Sequence, residues 1–465
     1  MTEKRYLKWY NKVGYGSGDI AGNVVYAFLS SFVMIYLTNT VGLNPGIVGT
    51  LIAVSKLLDG VTDIFFGSLI DKTHSKMGKA RPWMLYGQVG VSLCLFLLFA
   101  IPAGSTTMQY IYFFVVYTAL NAVFYTANNI AYSALTALIT KNNNERVQLG
   151  SFRFMFAVVT NIVMGFSVTG LVEKFGGGTA GWRTTALIFA IIGLVVNTIS
   201  CLAVKELPEE ELNDKAAEAG THTKAAPEEK RGVAETAKLL VHNKYYLMLL
   251  AIYIVYYIMS NLTTGAGVFC ATYYWGDGSL LGQFSMMKMF PVIIALAIAP
   301  VLIKKTGSMQ KVNFWGYAIS SVLGIPMIYF AMQKNISMFL LFMFIKGIFA
   351  GTLSGSLNAL IAEASGYTTR TTGVHMDGMM YSCSSLGVKV GGGIGTAAVG
   401  WLLKLGGFVG TATVQSESAI KMIFNLYITF PFILGIVITV LLAFLDVEKA
   451  NKKWDADHAQ KEAQA

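Results

Sequence analysis

Twelve apolar segments, most of them 20 or more residues long, limit what this chain can fold into. They run at about 16–38, 46–70, 83–102, 109–137, 151–171 and 183–204, then at about 244–270, 280–303, 312–332, 336–363, 374–404 and 420–446. Backbone inside hydrocarbon has to satisfy its own hydrogen bonds, so such segments are expected to cross as helices. Composition agrees. Of 465 residues, 54% are hydrophobic and 13% charged, with a mean hydropathy of +0.56, whereas soluble domains carry about 25% charged residues. The reading is an all-α, multi-pass protein of the cell (cytoplasmic) membrane, with the lipid bilayer as its solvent. The N-terminus lacks a short apolar core with a small-residue cleavage site, so the first segment is expected to stay as a span.

A polar stretch rich in Glu, Lys and Ala divides the segments six and six. It cannot supply a core and is expected to be a linker with short exposed helices. The expected organisation is a first half at 1–204, a linker at 205–243, a second half at 244–447 and a charged, solvated tail at 448–465. Basic residues collect at the N-terminus, in the loop with Lys72, Lys76, Lys79 and Arg81, in the linker, near Lys304, Lys305 and Lys311, and in the tail. The alternate loops are nearly free of Lys and Arg. The positive-inside rule then puts both termini in the cytoplasm. It also accounts for the net charge of +10 as topology, with no nucleic-acid partner. Two six-span halves with cytoplasmic ends are the layout of the major facilitator fold, 12 transmembrane helices with a substrate held near the midplane. The four cysteines, Cys94, Cys201, Cys270 and Cys383, all fall in apolar segments without ligand spacing and are expected to be buried free thiols.

The second segment breaks its own pattern. Lys56, Asp59 and Asp63 are spaced i, i+3, i+7 and share one helix face with Thr62 close by. Each charge at mid-membrane costs about 2.5–3.5 kcal/mol on insertion scales, so three on one stripe point to function. Two carboxylates four residues apart suit a small cation in two ways. With hydroxyl and carbonyl oxygens they form a cage for Na⁺, or they share a proton. Lys56 would balance their charge when no cation is bound. Further polar groups lie in other spans: Asp19, Asn23 and Tyr26 in the first, Thr126, Asn129, Tyr132 and Ser133 in the fourth, Lys288 in the eighth and Lys389 in the eleventh. Amides and hydroxyls beside aromatic rings suit a polyhydroxy ligand such as a sugar. No nucleophile–base pair or metal-ligand set stands out, so an enzyme is not expected, nor any cofactor beyond a coupling ion, H⁺ or Na⁺.

These residues also carry a resemblance. Tyr15-Gly-Ser-Gly-Asp19, Val41-Gly-Leu, Asp59-Gly-Val-Thr-Asp63 followed by Gly67-Ser-Leu-Ile-Asp71, and Lys79-Ala-Arg81-Pro82-Trp83 resemble the glycoside–pentoside–hexuronide:cation symporters. So do Trp275-Gly-Asp277, Tyr367 and the Gly-Val-Lys389 segment ending Gly400-Trp401-Leu. The resemblance implies a monomeric secondary symporter that takes up a sugar with a monovalent cation by alternating access. It implies a cation site at Asp59, Thr62, Asp63 and Thr126. It implies a sugar site at Asn23, Asn129, Tyr132, Ser133, Arg153, Ser384, Ser385, Val388 and Lys389. The motif Gly67…Asp71…Lys79…Arg81 suits charge pairs at the cytoplasmic face that would gate the carrier. The chain departs from the family pattern where relatives carry aspartates in place of Asn23 and Asn129. Those neutral groups, with Lys288, would make the cavity friendlier to an anionic sugar such as a hexuronide. The residues Glu363-Ala-Ser-Gly-Tyr367-Thr-Thr-Arg370 read as a loop without the family's usual acidic run. The rival readings are a non-transporting sugar sensor and a lysolipid-type carrier on the same fold.

Overall fold

The computed structural model describes residues 4–208, 240, 242–372, 377–412 and 414–464, and among them there is no β-strand. The expected linker lies almost wholly outside these residues, at 209–239 and 241. In chain order the helices are α1 Trp9–Thr40, α2 Pro45–Asp71, α3 Arg81–Leu98, α4 Thr106–Leu138, α5 Asn143–Lys174 and α6 Gly178–Leu202. There follow α7 Lys244–Trp275, α8 Leu280–Thr306, α9 Met309–Met332, α10 Ile336–Thr372 and α11 Ser382–Leu405. Last come α12, through Glu417–Phe424, Asn425–Thr429 and Phe430–Phe444, and α13 Val447–Gln464. Among the described residues ten helices, α1 and α4 through α12, are long and apolar enough to cross a membrane. α2 and α3 have 27 and 18 residues, about 40 and 27 Å at helical rise.

The sequence starts these helices with side-chain caps. Asn44, Ser105, Asn142, Asn243, Ser308, Asn335 and Ser416 each accept a backbone N–H of the first turn of α2, α4, α5, α7, α9, α10 and α12. Each such cap satisfies a donor that the helix itself leaves orphaned. Four spans then relax into π-helix for a few residues: Phe28–Phe32 and Tyr36–Thr40 in α1, Ala119–Tyr125 in α4, Cys270–Trp275 in α7 and Asn425–Thr429 in α12. Such bulges shift the register of the side chains that follow.

The chain forms two compact units. One carries α1–α6 with Leu403–Gln415; the other carries α7–α10, most of α11, α12 and α13. In the first, Gly410 lies on the backbone of α1, where a Cβ would fall 2.1 Å from the Thr38 carbonyl oxygen.

One device appears in both units. Glu206, just past α6, accepts the backbone N–H groups of Lys79, Ala80 and Arg81 at 2.7, 2.9 and 2.9 Å, where α3 begins. Gly78 makes room for it at φ 105°, because a Cβ there would strike the carboxylate. Glu448, just past α12, accepts from the Ser308 hydroxyl and from the N–H groups of Met309 and Gln310, at 2.8 and 3.3 Å, where α9 begins. A carboxylate on the positive end of a helix dipole is the favourable arrangement.

One expectation is corrected. Residues 363–370 are not a loop: α10 continues to Thr372. Its extra turns are held by Asn243 Nδ2 donating to Thr368 Oγ1 at 2.7 Å, by the edge of Tyr245 on Tyr367 and by Asn451 Nδ2 donating to Glu363 at 2.8 Å. The charged tail is helical. It forms α13, where Asn451 is buried and Asp455 pairs with Arg370 at 3.6 Å. In both places tertiary partners, invisible to local composition, decide the outcome. All four cysteines are free and buried.

Candidate functional site

Within the first unit, α2 and α4 bring the expected cation residues together. The Thr126 hydroxyl lies 2.5 Å from Asp59 Oδ1 and 3.0 Å from the Asn121 carbonyl oxygen. That carbonyl is turned toward Thr126 by the π segment Ala119–Tyr125, which replaces an i−4 partner by i−5. Lys56 Nζ donates to Asn121 Oδ1 at 3.3 Å. Thr62 donates to the Asp59 carbonyl oxygen at 3.1 Å, so its own lone pairs stay available. Asp63 is half-buried one turn further along the face of Asp59. Two neighbouring groups, the Ser55 hydroxyl and Asn121 Nδ2, are buried without a hydrogen-bond partner among the described residues. Asn121 was not singled out from the sequence. Its signal, an amide in an apolar run, was present, but its alignment with Lys56 depends on the π turn.

A second cluster joins α1, α4 and α5. Arg153 Nε meets Asp19 Oδ2 at 2.6 Å, with side chains 23% and 17% exposed. The guanidinium stacks 4.1 Å over the Tyr132 ring. The Tyr132 hydroxyl reaches Asp19 Oδ2 at 3.1 Å and the Tyr15 carbonyl oxygen at 2.7 Å. Tyr15 answers by donating to the Tyr132 carbonyl oxygen at 2.5 Å. Gly18 permits this closeness, since a Cβ there would lie 2.9 Å from the Tyr132 ring. Tyr132 is therefore a buried clamp on Asp19 and Arg153, while Asn129 and Ser133 lie exposed on α4 and Tyr26 is 36% exposed on α1. Asn23 Oδ1 accepts from Asn161 Nδ2 at 2.9 Å. Asn161, on α5, belongs to this cluster and was missed because one amide in an apolar span carries no spacing signal.

Arg81 donates to the Cys201 carbonyl oxygen at 3.1 Å. Asp71 ends α2, and its side chain lies outside the described residues.

In the second unit, Gly387, Gly391 and Gly395 of α11 pack directly on α7. A Cβ at Gly387 would fall 2.3 Å from Tyr253 Cβ, and one at Gly391 2.5 Å from the Ile254 carbonyl oxygen. At about 100° per residue, Ser385 and Lys389 lie on the opposite side of α11 from this stripe. Ser384 and Lys389 are half-buried, Ser385 and Val388 exposed. Lys288 of α8 sits apart from them. It donates to Thr264 Oγ1 at 2.7 Å and approaches the Ser260 carbonyl oxygen at 3.4 Å.

The comparisons with known proteins bear on this arrangement. The chain is 27% identical over 468 residues to the isoprimeverose transporter of Lactiplantibacillus pentosus, covering 100% of this chain and 94% of that one. It is 26% identical over 449 residues to the uncharacterized symporter YnaJ of Bacillus subtilis, covering 96% and 92%. Its fold resembles that of a D-xylose-proton symporter, with a TM-score of 0.66 at 12% identity over 95% of this chain and 98% of that one. A sequence model of the MFS/sugar transport protein family matches residues 14–449. The match takes in the spans from α1 to α12 and every candidate residue described above, so the chain belongs to the MFS/sugar transport protein family and is a multi-pass membrane transporter rather than an enzyme.

Proposed function

We propose that the protein is a glycoside–pentoside–hexuronide:cation symporter, taking up a sugar with a monovalent cation by alternating access. In this reading 12 helices form two six-helix halves, 1–204 and 244–447, with both termini cytoplasmic. The observation that carries it is the intramembrane carboxylate Asp59 held by Thr126 beside Asp63 and Thr62. A carboxylate at that depth is costly unless a cation or proton joins it. The Thr126 hydroxyl has two acceptors at bonding distance and one proton to give. A proton on Asp59 completes both bonds, which favours H⁺ as the coupling ion; Na⁺ is the second reading, supported by the oxygens of Asp59, Thr62, Asp63 and Thr126. Asp19, Arg153, Asn23, Asn129 and Ser133 are the sugar ligands of the first half; Ser384, Ser385, Val388 and Lys389 are the sugar ligands of the second. Cation binding removes the repulsion between Asp59 and Asp63 and preorganises the sugar site; by linkage the sugar tightens the cation equally. The name of the isoprimeverose relative supports a sugar substrate.

The test is uptake of a sugar panel by proteoliposomes under separate H⁺ and Na⁺ gradients. Accumulation of one sugar under one gradient, collapsed by dissipating that gradient, is expected. Equal uptake with and without either gradient, for every sugar, would overturn the reading.

A further inference from the structure

We propose that the second unit contains a binding site for a small aromatic carboxylic acid, with Lys346 holding its carboxylate. A cavity of about 180 Å³ lies inside this unit, among α7, α8, α9, α10 and α12. None of the α11 residues proposed for the sugar lines it, so the site stands whether or not the sugar reading holds.

One face of α10 forms a wall. Phe339, Met343, Lys346, Ala350 and Ser354 follow at i, i+4, i+7, i+11 and i+15, a single helical stripe, and all of them line the cavity. Lys346 is in the middle of it. The other walls are largely apolar: Met259 of α7, Met287 of α8, Tyr317 of α9, and Tyr427 and Phe432 of α12. Much of the polar lining is already spent. The Tyr256 and Ser354 hydroxyls bond each other at 2.8 Å, and Ser321 donates to the Tyr317 carbonyl oxygen at 2.8 Å. Lys288 is turned onto Thr264 and Ser260. Of the two charged groups in the wall, only Lys346 has neither a hydrogen bond nor an ion pair among the described residues.

An ammonium left without a partner in an apolar span is costly. No carboxylate lines the cavity, so a compensating one has to arrive with a ligand, where it accepts charge-assisted hydrogen bonds from Lys346. The rest of the lining decides the ligand's body. Aromatic rings and thioethers pack well on another ring, by edge or by face. Size agrees: a dry cavity of about 150 Å³ holds benzene, and this one leaves room for a carboxylate beside the ring.

The test uses the purified full chain in detergent, with thermal unfolding and calorimetry as readouts. The probes are benzoate, benzamide and acetate, titrated separately at constant pH and ionic strength. Benzamide keeps the ring and the shape and loses the charge; acetate keeps the charge and loses the ring. Benzoate should raise the unfolding midpoint saturably, benzamide should bind about tenfold more weakly, and acetate should give no response. In Lys346→Met the affinity for benzoate should fall about tenfold, to that of benzamide, whose own affinity stays unchanged. No saturable response of the unmodified chain to benzoate overturns the proposal, as does an equal or stronger response to benzamide or acetate, and these arms need no variant to fold. A preference for benzoate undiminished in Lys346→Met overturns it equally.

Discussion

The two units share a plan and differ in charge. Each caps its third helix with a glutamate from just past its sixth, Glu206 on α3 and Glu448 on α9. At membrane depth they part. The first unit holds half-buried acids: Asp19 against Arg153 and Tyr132, and Asp59 against Thr126, with Asp63 close by. The spans of the second unit carry Lys288, Lys346 and Lys389 and no Asp or Glu at comparable depth; Glu363, near the end of α10, is bonded to Asn451. A repeated scaffold thus leaves the interior charge free to diverge, with carboxylates in the spans of one half and lysines without carboxylates in those of the other. The caps hold helix ends, where both units need the same thing.

Exchanging charges on one side only is the sharpest way to break this contrast. Asp59→Asn or Asp63→Asn should lower cation-driven accumulation in proteoliposomes by about 100-fold, the upper range of coupling between two sites, while sugar exchange persists. Lys288→Met should leave the response to the cation gradient unchanged. Full accumulation in both aspartate variants, or a lost cation response in Lys288→Met, would erase the division between the halves.

The Asp19–Arg153 pair gives the next largest effect. Removing one partner strands the other charge, which costs about 3 kcal/mol for a buried pair, less the part screened by the residual exposure of both side chains. Asp19→Asn and Arg153→Gln should each lower thermal stability in detergent more than the double variant does. Additive losses would mean that the pair is not coupled. Thr126→Ala removes one hydrogen bond to a carboxylate and should weaken apparent cation affinity about tenfold, read from the cation dependence of uptake. The smallest effect concerns the shared device. Glu206→Gln and Glu448→Gln should each cost about 1 kcal/mol, and nearly the same amount. Unequal shifts in unfolding midpoint would show that the repeat is one of shape alone.

Much of this was legible from residues alone. The apolar segments dictate membrane helices because lipid offers no backbone partners. Lys56, Asp59 and Asp63 announce a site because charges in such a segment are costly. Lys346, in Phe344-Ile-Lys346-Gly, carries the same signal and is absent from the expected site residues. The turns at 363–370 read as a loop because they are polar and short of apolar periodicity, and the same composition gives no sign of the helix after Asp446. Their order comes from Asn243, Asn451 and Asp455, which lie far away in sequence.

The sequence by itself determined the class of fold and the presence of charges inside the membrane, since both follow from hydropathy and one-dimensional spacing. Tertiary structure alone decided the pairings: Thr126 on Asp59, Tyr132 clamping Arg153 and Asp19, and Lys288 on Thr264. Pairing depends on which helices cross, at which glycine, and on the π turn that rotates α4 before Thr126. Those are properties of packed backbones, and no local pattern of residues encodes them.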